Sequence, residues 1–298
     1  MKVITQPAEM ATWSAACRRS GARIGFVPTM GALHEGHLDL VRIALSECDR
    51  VVCSIFVNPL QFNDPNDLAS YPVQLEQDQL LLEQTGCHGV FLPRREELFA
   101  SFTPKVFDLL GLDRHWEGPN RPGHFQGVVN VVEQLFLFVR PDAAYFGEKD
   151  RQQLAIIRAM AREHRWPERI RPCPTVREPD GLAMSSRNLR LTAADRAQAP
   201  ILHAALQAVA RLCFRATVDE ALDAGREVLA TVPAVGVEYL AVAHPDTLEP
   251  LHDWDGVAEA ALLIAARVGA VRLIDNITAK RPRAPNPKRE GSFAPPEA

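Results

Sequence analysis

Two short apolar runs, Ile24–Pro28 and Val51–Val57, stand on either side of a single helical period, and this order most constrains the fold open to the chain. The second run, V-V-C-S-I-F-V, has no polar face, as expected of a parallel strand covered on both sides. Between them Leu38, Val41 and Leu45 recur at helical spacing. Strand, helix and strand in this order predict an open parallel sheet, with ligand groups gathered where strands end in loops. The turn after the first run, M-G-A-L-H-E-G-H, fits that role. Gly31 and Gly36 let backbone approach a bound group, and the free N–H groups of a helix start favour a phosphate. His34 and His37 add two imidazole donors at the same place. A capped surface helix with two exposed histidines fits this spacing as well. Neither the lysine-bearing phosphate loop nor the G-x-G-x-x-G turn is present.

Further strands are expected at Gly89–Leu92 and Pro141–Phe146, and helices at 7–20, 74–85 and 127–139. Polar residues again follow the strands. Asn58 and Gln61 come after the second run, and Lys149, with Gln153 one turn later, after Pro141–Phe146. A lysine at a helix start opposes the helix dipole, so its position suits a ligand's negative charge. The segment 94–122 reads as a polar wall whose informative residues, with the next turn, are Arg121 and His124, and Met184-Ser185-Ser186-Arg187-Asn188 reads as a loop able to cover phosphates. Beyond residue 176 the texture changes to Ala- and Leu-rich helices at 194–213 and 217–230, then strands at 235–241, 260–267 and 271–277. The expected fold is α/β: a Rossmann-like parallel sheet over residues 1–176, a smaller α+β lid domain over 177–280 and a Pro- and charge-rich tail over 281–298. The basic stretch Lys280–Arg283 reads as part of a solvated tail.

The 298 residues carry 33 basic and 37 acidic side chains, a formal charge of -4 that speaks against nucleic acid as partner. No apolar run reaches a membrane span and no secretory signal opens the chain, so a cytoplasmic protein is expected. Cys17, Cys48, Cys53, Cys87, Cys173 and Cys213 form no C-x-x-C pair, which favours buried, inert thiols over a zinc site or disulfide framework.

Taken together, P-T-M-G-A-L-H-E-G-H, S-I-F-V-N-P-L-Q-F, R-P-G-H-F-x-G-V, F-G-E-K-D-x-Q-Q-L and D-G-L-A-M-S-S-R-N resemble the pantothenate synthetase, or pantoate–beta-alanine ligase, family, and V-E-Y-L and R-L-I-D-N-I continue the likeness. H-E-G-H is similar to the H-I-G-H element of the wider nucleotidyltransferase superfamily. The resemblance implies an ATP- and Mg²⁺-dependent ligation of (R)-pantoate to beta-alanine through a pantoyl-adenylate, giving pantothenate, AMP and pyrophosphate for coenzyme A biosynthesis. It also implies a cytoplasmic homodimer. By motif, Met30, Gly31, Ala32, Leu33, His34, Glu35, Gly36 and His37 would contact ATP. So would Gly147, Glu148, Lys149, Asp150, Val176, Met184, Ser185, Ser186 and Arg187. Gln61 would hold pantoate and beta-alanine, Gln153 would hold pantoate, and His37 is the family's proton donor. His34, His37, Lys149 and Arg187 are the expected catalytic set, while Asp78 and Asp150 are candidate neighbours of the metal. The chain departs from the family pattern at Asn63, Asn130, Gln134 and Arg190. An adenylyltransferase that stops at an adenylylated product shares the histidine element but not the Gln61 and Gln153 motifs.

Overall fold

The computed structural model describes residues 1–282 except 64, 101, 167 and 168, so all but the first two residues of the expected tail lie outside the described residues. Six parallel strands, β1 (Lys2–Ile4), β2 (Ile24–Thr29), β3 (Arg50–Ile55), β4 (Gly89–Phe91), β5 (Ala143–Gly147) and β6 (Arg169–Cys173), form one sheet in the order β1-β4-β3-β2-β5-β6. The chain runs from β2 outward to β3 and β4 on one side and resumes at β5 and β6 on the other. The order therefore reverses at β2, the place where open α/β sheets bind ligands.

The two-residue period of the strands sorts their side chains. Phe26, Val52, Phe91, Ala144 and Phe146 pack with Met10 and with the valines of helix His124–Val139 on one face. Val27, Val51, Cys53, Val90 and Tyr145 meet Val41 and Ala44 of helix Glu35–Glu47 on the other. β2 pairs with β3 over its whole length but with β5 only at Gly25 and Phe26. Pro28, which has no N–H to give, lies past that last pair. The sheet thus opens at the carboxyl ends of β2 and β5.

A second, antiparallel sheet, β7 (Val235–Ala243), β8 (Glu259–Val268) and β9 (Val271–Lys280), runs in the order β7-β8-β9. Leu262, Ile264 and Ala266 of β8 pack with helices Ile201–Leu212 and Val218–Ala230. The alternate residues Ala261 and Leu263 face Trp116 and Tyr239. Three readings are corrected here. The stretch 194–213 is two helices, Ala193–Gln198 and Ile201–Leu212, separated at Ala199–Pro200. Segment 94–122 contains short helices at Arg95–Leu98 and Glu117–Asn120. Lys280 and Arg281 are tied down: Lys280 pairs with Glu259 at 3.0 Å, while Arg281 donates to the Val257 and Trp254 carbonyls and lies over the Phe214 ring. No helix among the described residues is long and apolar enough to cross a membrane.

Candidate active site

The carboxyl ends of β3, β2 and β5 surround one cleft. His34 is the N-cap of helix Glu35–Glu47, and its Nδ1 accepts the Gly36 N–H at 3.1 Å. His37 Nδ1 in turn receives the His34 N–H at 3.4 Å, and the two rings lie tilted at 35° to each other with centroids 4.1 Å apart. Each imidazole commits Nδ1 to backbone, so in the neutral ring the proton sits on Nε2. Burial lowers the His34 pKa to about 4, with Lys149 acting in the same direction. Burial and His34 lower that of His37 to about 3. With both pKa values lowered this far, the pair stands at neutral pH as two uncharged Nε2–H donors.

The loop bearing these histidines is strained and held. Ala32 adopts φ 48° and Gly31 φ 85°. Asp78, only 1% exposed, accepts the Ala32 N–H at 2.9 Å and the Leu33 N–H at 2.7 Å. Each of its oxygens thus serves a backbone N–H of this loop, and Asp78 is not among the residues that line the cleft. The Ser186 hydroxyl donates to the Ala32 carbonyl at 3.0 Å, so it joins the two loops instead of pointing a free donor at phosphate. Ser185 Oγ accepts the Arg187 N–H, which leaves its own proton available.

Asn58 Nδ2 donates to Gln61 Oε1 at 3.0 Å and to the Gly127 carbonyl, while Gln61 Nε2 meets Met30 Sδ. His124 Nδ1 donates to the Gln61 carbonyl at 2.8 Å. Gly127 is required because a Cβ there would stand 2.1 Å from the Leu60 carbonyl oxygen. The adjacent glutamines divide their work: Gln153 lines the cleft, and Gln152 holds the Leu112 and His115 carbonyls and the Glu117 N–H. Lys149 reaches the cleft from the turn after β5, with its backbone carbonyl and that of Glu148 fixed by Asn276 Nδ2.

Of the residues expected at the site, Met30, His34, Gly36, His37, Gln61, Gly147, Lys149, Asp150, Gln153, Val176, Met184, Ser185, Ser186 and Arg187 line this cleft. Gly31, Ala32, Leu33, Glu35 and Glu148 do not. Leu33 packs in the core, and Glu35 turns outward to Arg42 at 2.8 Å. Arg187 is held by Asp67 at 2.9 Å, and Asp67 also pairs at 2.7 Å with Arg190, one of the departures from the family pattern. Asn130, another departure, clamps the Lys105 N–H and carbonyl, both at 2.9 Å. Asn63 lies at the side chamber beyond Arg187.

Sequence reasoning missed the contribution of the second sheet. Glu117 is bound by both terminal nitrogens of Arg272, at 2.7 and 2.8 Å, and by the Tyr239 hydroxyl at 2.8 Å. Asp275 forms a two-pronged pair with Arg177 at 2.7 and 3.0 Å. Arg272, Asp275 and Asn276 all come from R-L-I-D-N-I, the signal that could have located them. All six cysteines are free, and burial raises each thiol pKa where a shift is resolved. Among the described residues no cluster of three His, Cys, Asp or Glu side chains suits a metal.

The buried histidines set a pH response. His124 is lowered to about 4 by burial and by Arg121, alongside His34 and His37. Between an unfolded pKa of about 6.5 and these folded values, the unfolded chain takes up protons that the folded chain refuses. This contribution is intact above that window and is lost as pH falls through it. The melting temperature should drop from pH 7 to pH 4.5, with a shallower slope in His34→Gln and His124→Gln. A level wild-type profile across that range would contradict the assignment.

Residues 2–278 match the family model described as Pantoate-beta-alanine ligase. A pantothenate synthetase of Thermus thermophilus is 48% identical over 279 residues, covering 93% of this chain and 99% of the relative, and one of Porphyromonas gingivalis is 44% identical over 278 residues with the same coverage. The crystal structure of a Thermus thermophilus pantothenate synthetase superposes with a TM-score of 0.86 at 47% identity, over 93% of this chain and 99% of that one. A Francisella tularensis pantoate-beta-alanine ligase complexed with beta-gamma ATP and beta-alanine gives 0.74 at 32% identity, over 93% and 97%. The chain belongs to the pantoate-beta-alanine ligase family.

Proposed function

We infer that this chain joins pantoate to beta-alanine with consumption of ATP, through a pantoyl-adenylate, with AMP and pyrophosphate released. The observation that carries the reading is the convergence of His34, His37, Gln61, Lys149, Gln153 and Arg187 on one cleft at the sheet's switch point. A carboxylate does not accept an amine directly, because oxide is a poor leaving group. Attack of the pantoate carboxylate on the α-phosphorus expels pyrophosphate and leaves AMP on the acyl carbon. The neutral amine of beta-alanine then adds to that carbon, the C–N bond forms, and the C–O bond to AMP breaks with its electron pair.

The first step needs positioned charge rather than a covalent nucleophile. His34 and His37 offer Nε2–H groups to phosphoryl oxygens, and Lys149 meets the charge as the carboxylate approaches. Arg187 and Ser185 serve the triphosphate once Arg187 leaves Asp67, a pair that Arg190 is placed to keep satisfied. Gln61 and Gln153 bind oxygens of the organic substrates without adding a nucleophile or fixed charge. Mg²⁺ fits as a companion of the nucleotide: it keeps waters and phosphate ligands and needs few protein carboxylates, and of the carboxylates lining the cleft Glu117 and Asp275 are paired with Arg272 and Arg177, which leaves Asp150. When bound it would supply charge compensation on the phosphates. In this reading residues 1–176 carry the nucleotide and 177–280 form a lid. The resemblance also supports a homodimer and a cytoplasmic setting. The test is ATP–pyrophosphate exchange with beta-alanine omitted: label should enter ATP only when pantoate is present, and pantoate-independent or absent exchange would refute the pathway.

A further inference from the structure

Lys149 stands on a turn that its own side chains do not fix. Residues Glu148–Asp150 form one 3-10 turn between β5 and helix Arg151–Glu163, and neither Gly147 ahead of the turn nor Asp150 ahead of the helix supplies a side-chain cap. Among the described residues the ammonium makes one ion pair, a loose one with Asp150 at 3.7 Å. What holds the turn comes from the other sheet. Asn276 Nδ2 donates to the Glu148 carbonyl at 3.0 Å and to the Lys149 carbonyl at 2.8 Å, so both N–H groups of one primary amide are spent on two successive carbonyls.

Asn276 can do this because its strand is an edge. β9 ends its sheet, in a register that sets Asp275 opposite Ile264 and Asn276 opposite Leu263. The two-residue period therefore turns Asp275 to the helix-covered face, where His203 of helix Ile201–Leu212 lies 3.8 Å away, and Asn276 to the opposite face. Both are buried, and both are satisfied. Asp275 receives Arg177 through two nitrogens and takes the Asn276 N–H at 2.7 Å, while Arg177 also donates to the Asn276 carbonyl at 3.1 Å. Side chains thus close the main-chain groups that a further strand would have paired, and the amide is free to reach across to the first sheet.

We propose that Asn276 is a positioning residue for the adenylation step: from the second sheet it fixes the turn that carries the Lys149 ammonium, an assignment that rests on the ligase reading above. An amide suits the task because it gives two donors to carbonyl oxygens without a charge that would compete with Lys149 for the incoming anions. Displacing a group that acts in the transition state by about 1 Å costs on the order of 10²-fold in rate. The contacts offered by His34, His37 and Gln61 stay in place. The signature is a fall in kcat, not a rise in KM.

Full-length wild type, Asn276→Ala, Asn276→Ser, Lys149→Ala and the Lys149→Ala, Asn276→Ala double variant are compared in pantoate-dependent ATP–pyrophosphate exchange, with thermal melts alongside. Asn276→Ala should lower kcat roughly 10- to 100-fold, with KM for ATP and for pantoate within about threefold of wild type. Asn276→Ser keeps one donor and should fall less. In the Lys149→Ala background, Asn276→Ala should cost less than about twofold more, because the group it aims is gone. Where Asn276→Ala melts below the assay temperature, Asn276→Ser takes its place in the double variant. A full further loss in the double variant, an unchanged kcat in Asn276→Ala, Asn276→Ser as slow as Asn276→Ala, or KM values rising with kcat intact would overturn the proposal. Loss of the melting transition in both Asn276 variants would overturn it too, by assigning the amide to the fold alone. Absence of exchange in the wild type would instead remove the ligase reading itself.

Discussion

Lys149→Ala should lower pantoate-dependent ATP–pyrophosphate exchange by about 10²–10³-fold, equivalent to about 3–4 kcal/mol of transition-state stabilisation, while the protein stays folded. The ammonium is held only loosely, 3.7 Å from Asp150, and its side chain is 18% exposed. Its backbone is what the fold uses, since Asn276 holds the Lys149 carbonyl at 2.8 Å and that bond survives the substitution. Stability should change little beside that loss, because the ammonium has no firm partner that its removal would leave unpaired. The charge has a chemical purpose because two anions, carboxylate and triphosphate, must meet beside it. Neither neutral imidazole can replace that charge. Thermal melts run beside the exchange assay separate the effects: near-normal exchange, or a collapse of the melting transition, would each defeat the assignment.

The parts of this site that were legible in the sequence are those where chemistry and local pattern coincide. Apolar runs with turns behind them marked β2, β3 and β5, and the polar residues following those runs are the ones that meet in the cleft. β1 and β6 were not read as strands, for a physical reason. Both are edge strands of three and five residues, and R-I-R-P-C alternates arginines with apolar residues in a way that shows no buried run. Glu117 and Arg272 are 155 residues apart, so no periodicity relates them, although each is fixed by the other. The helix at His124–Val139 begins three residues ahead of the expected start, and its valines are accommodated because almost every turn is buried. Ser186 shows a different limit: its motif marks a phosphate loop, but nothing local reveals that its hydroxyl is committed to Ala32.

Asp78 has the same kind of invisibility with a larger consequence. In Leu75–Thr85 it reads as an acid in the first turn of an amphipathic helix, where acids are common. Instead it turns inward and takes two backbone N–H groups from a loop whose Gly31 and Ala32 both have positive φ. Burial raises its carboxyl pKa, and the Leu33 and Ala32 donors oppose that rise. Removing the carboxylate leaves both donors buried without acceptors, at about 1–3 kcal/mol each, and releases a conformation that alanine seldom adopts. Asp78→Ala should therefore destabilise the protein by about 3–5 kcal/mol in denaturant unfolding. Asp78→Asn, which keeps shape but turns an NH₂ toward one donor, should cost about half as much. Folded Asp78→Asn should also lose exchange activity, because the strained loop sets where His34 and His37 present their Nε2–H groups. Full stability in Asp78→Ala would show that the loop holds itself. Reduced stability with undiminished exchange in Asp78→Asn would show that the carboxylate supports the fold without aiming the histidines.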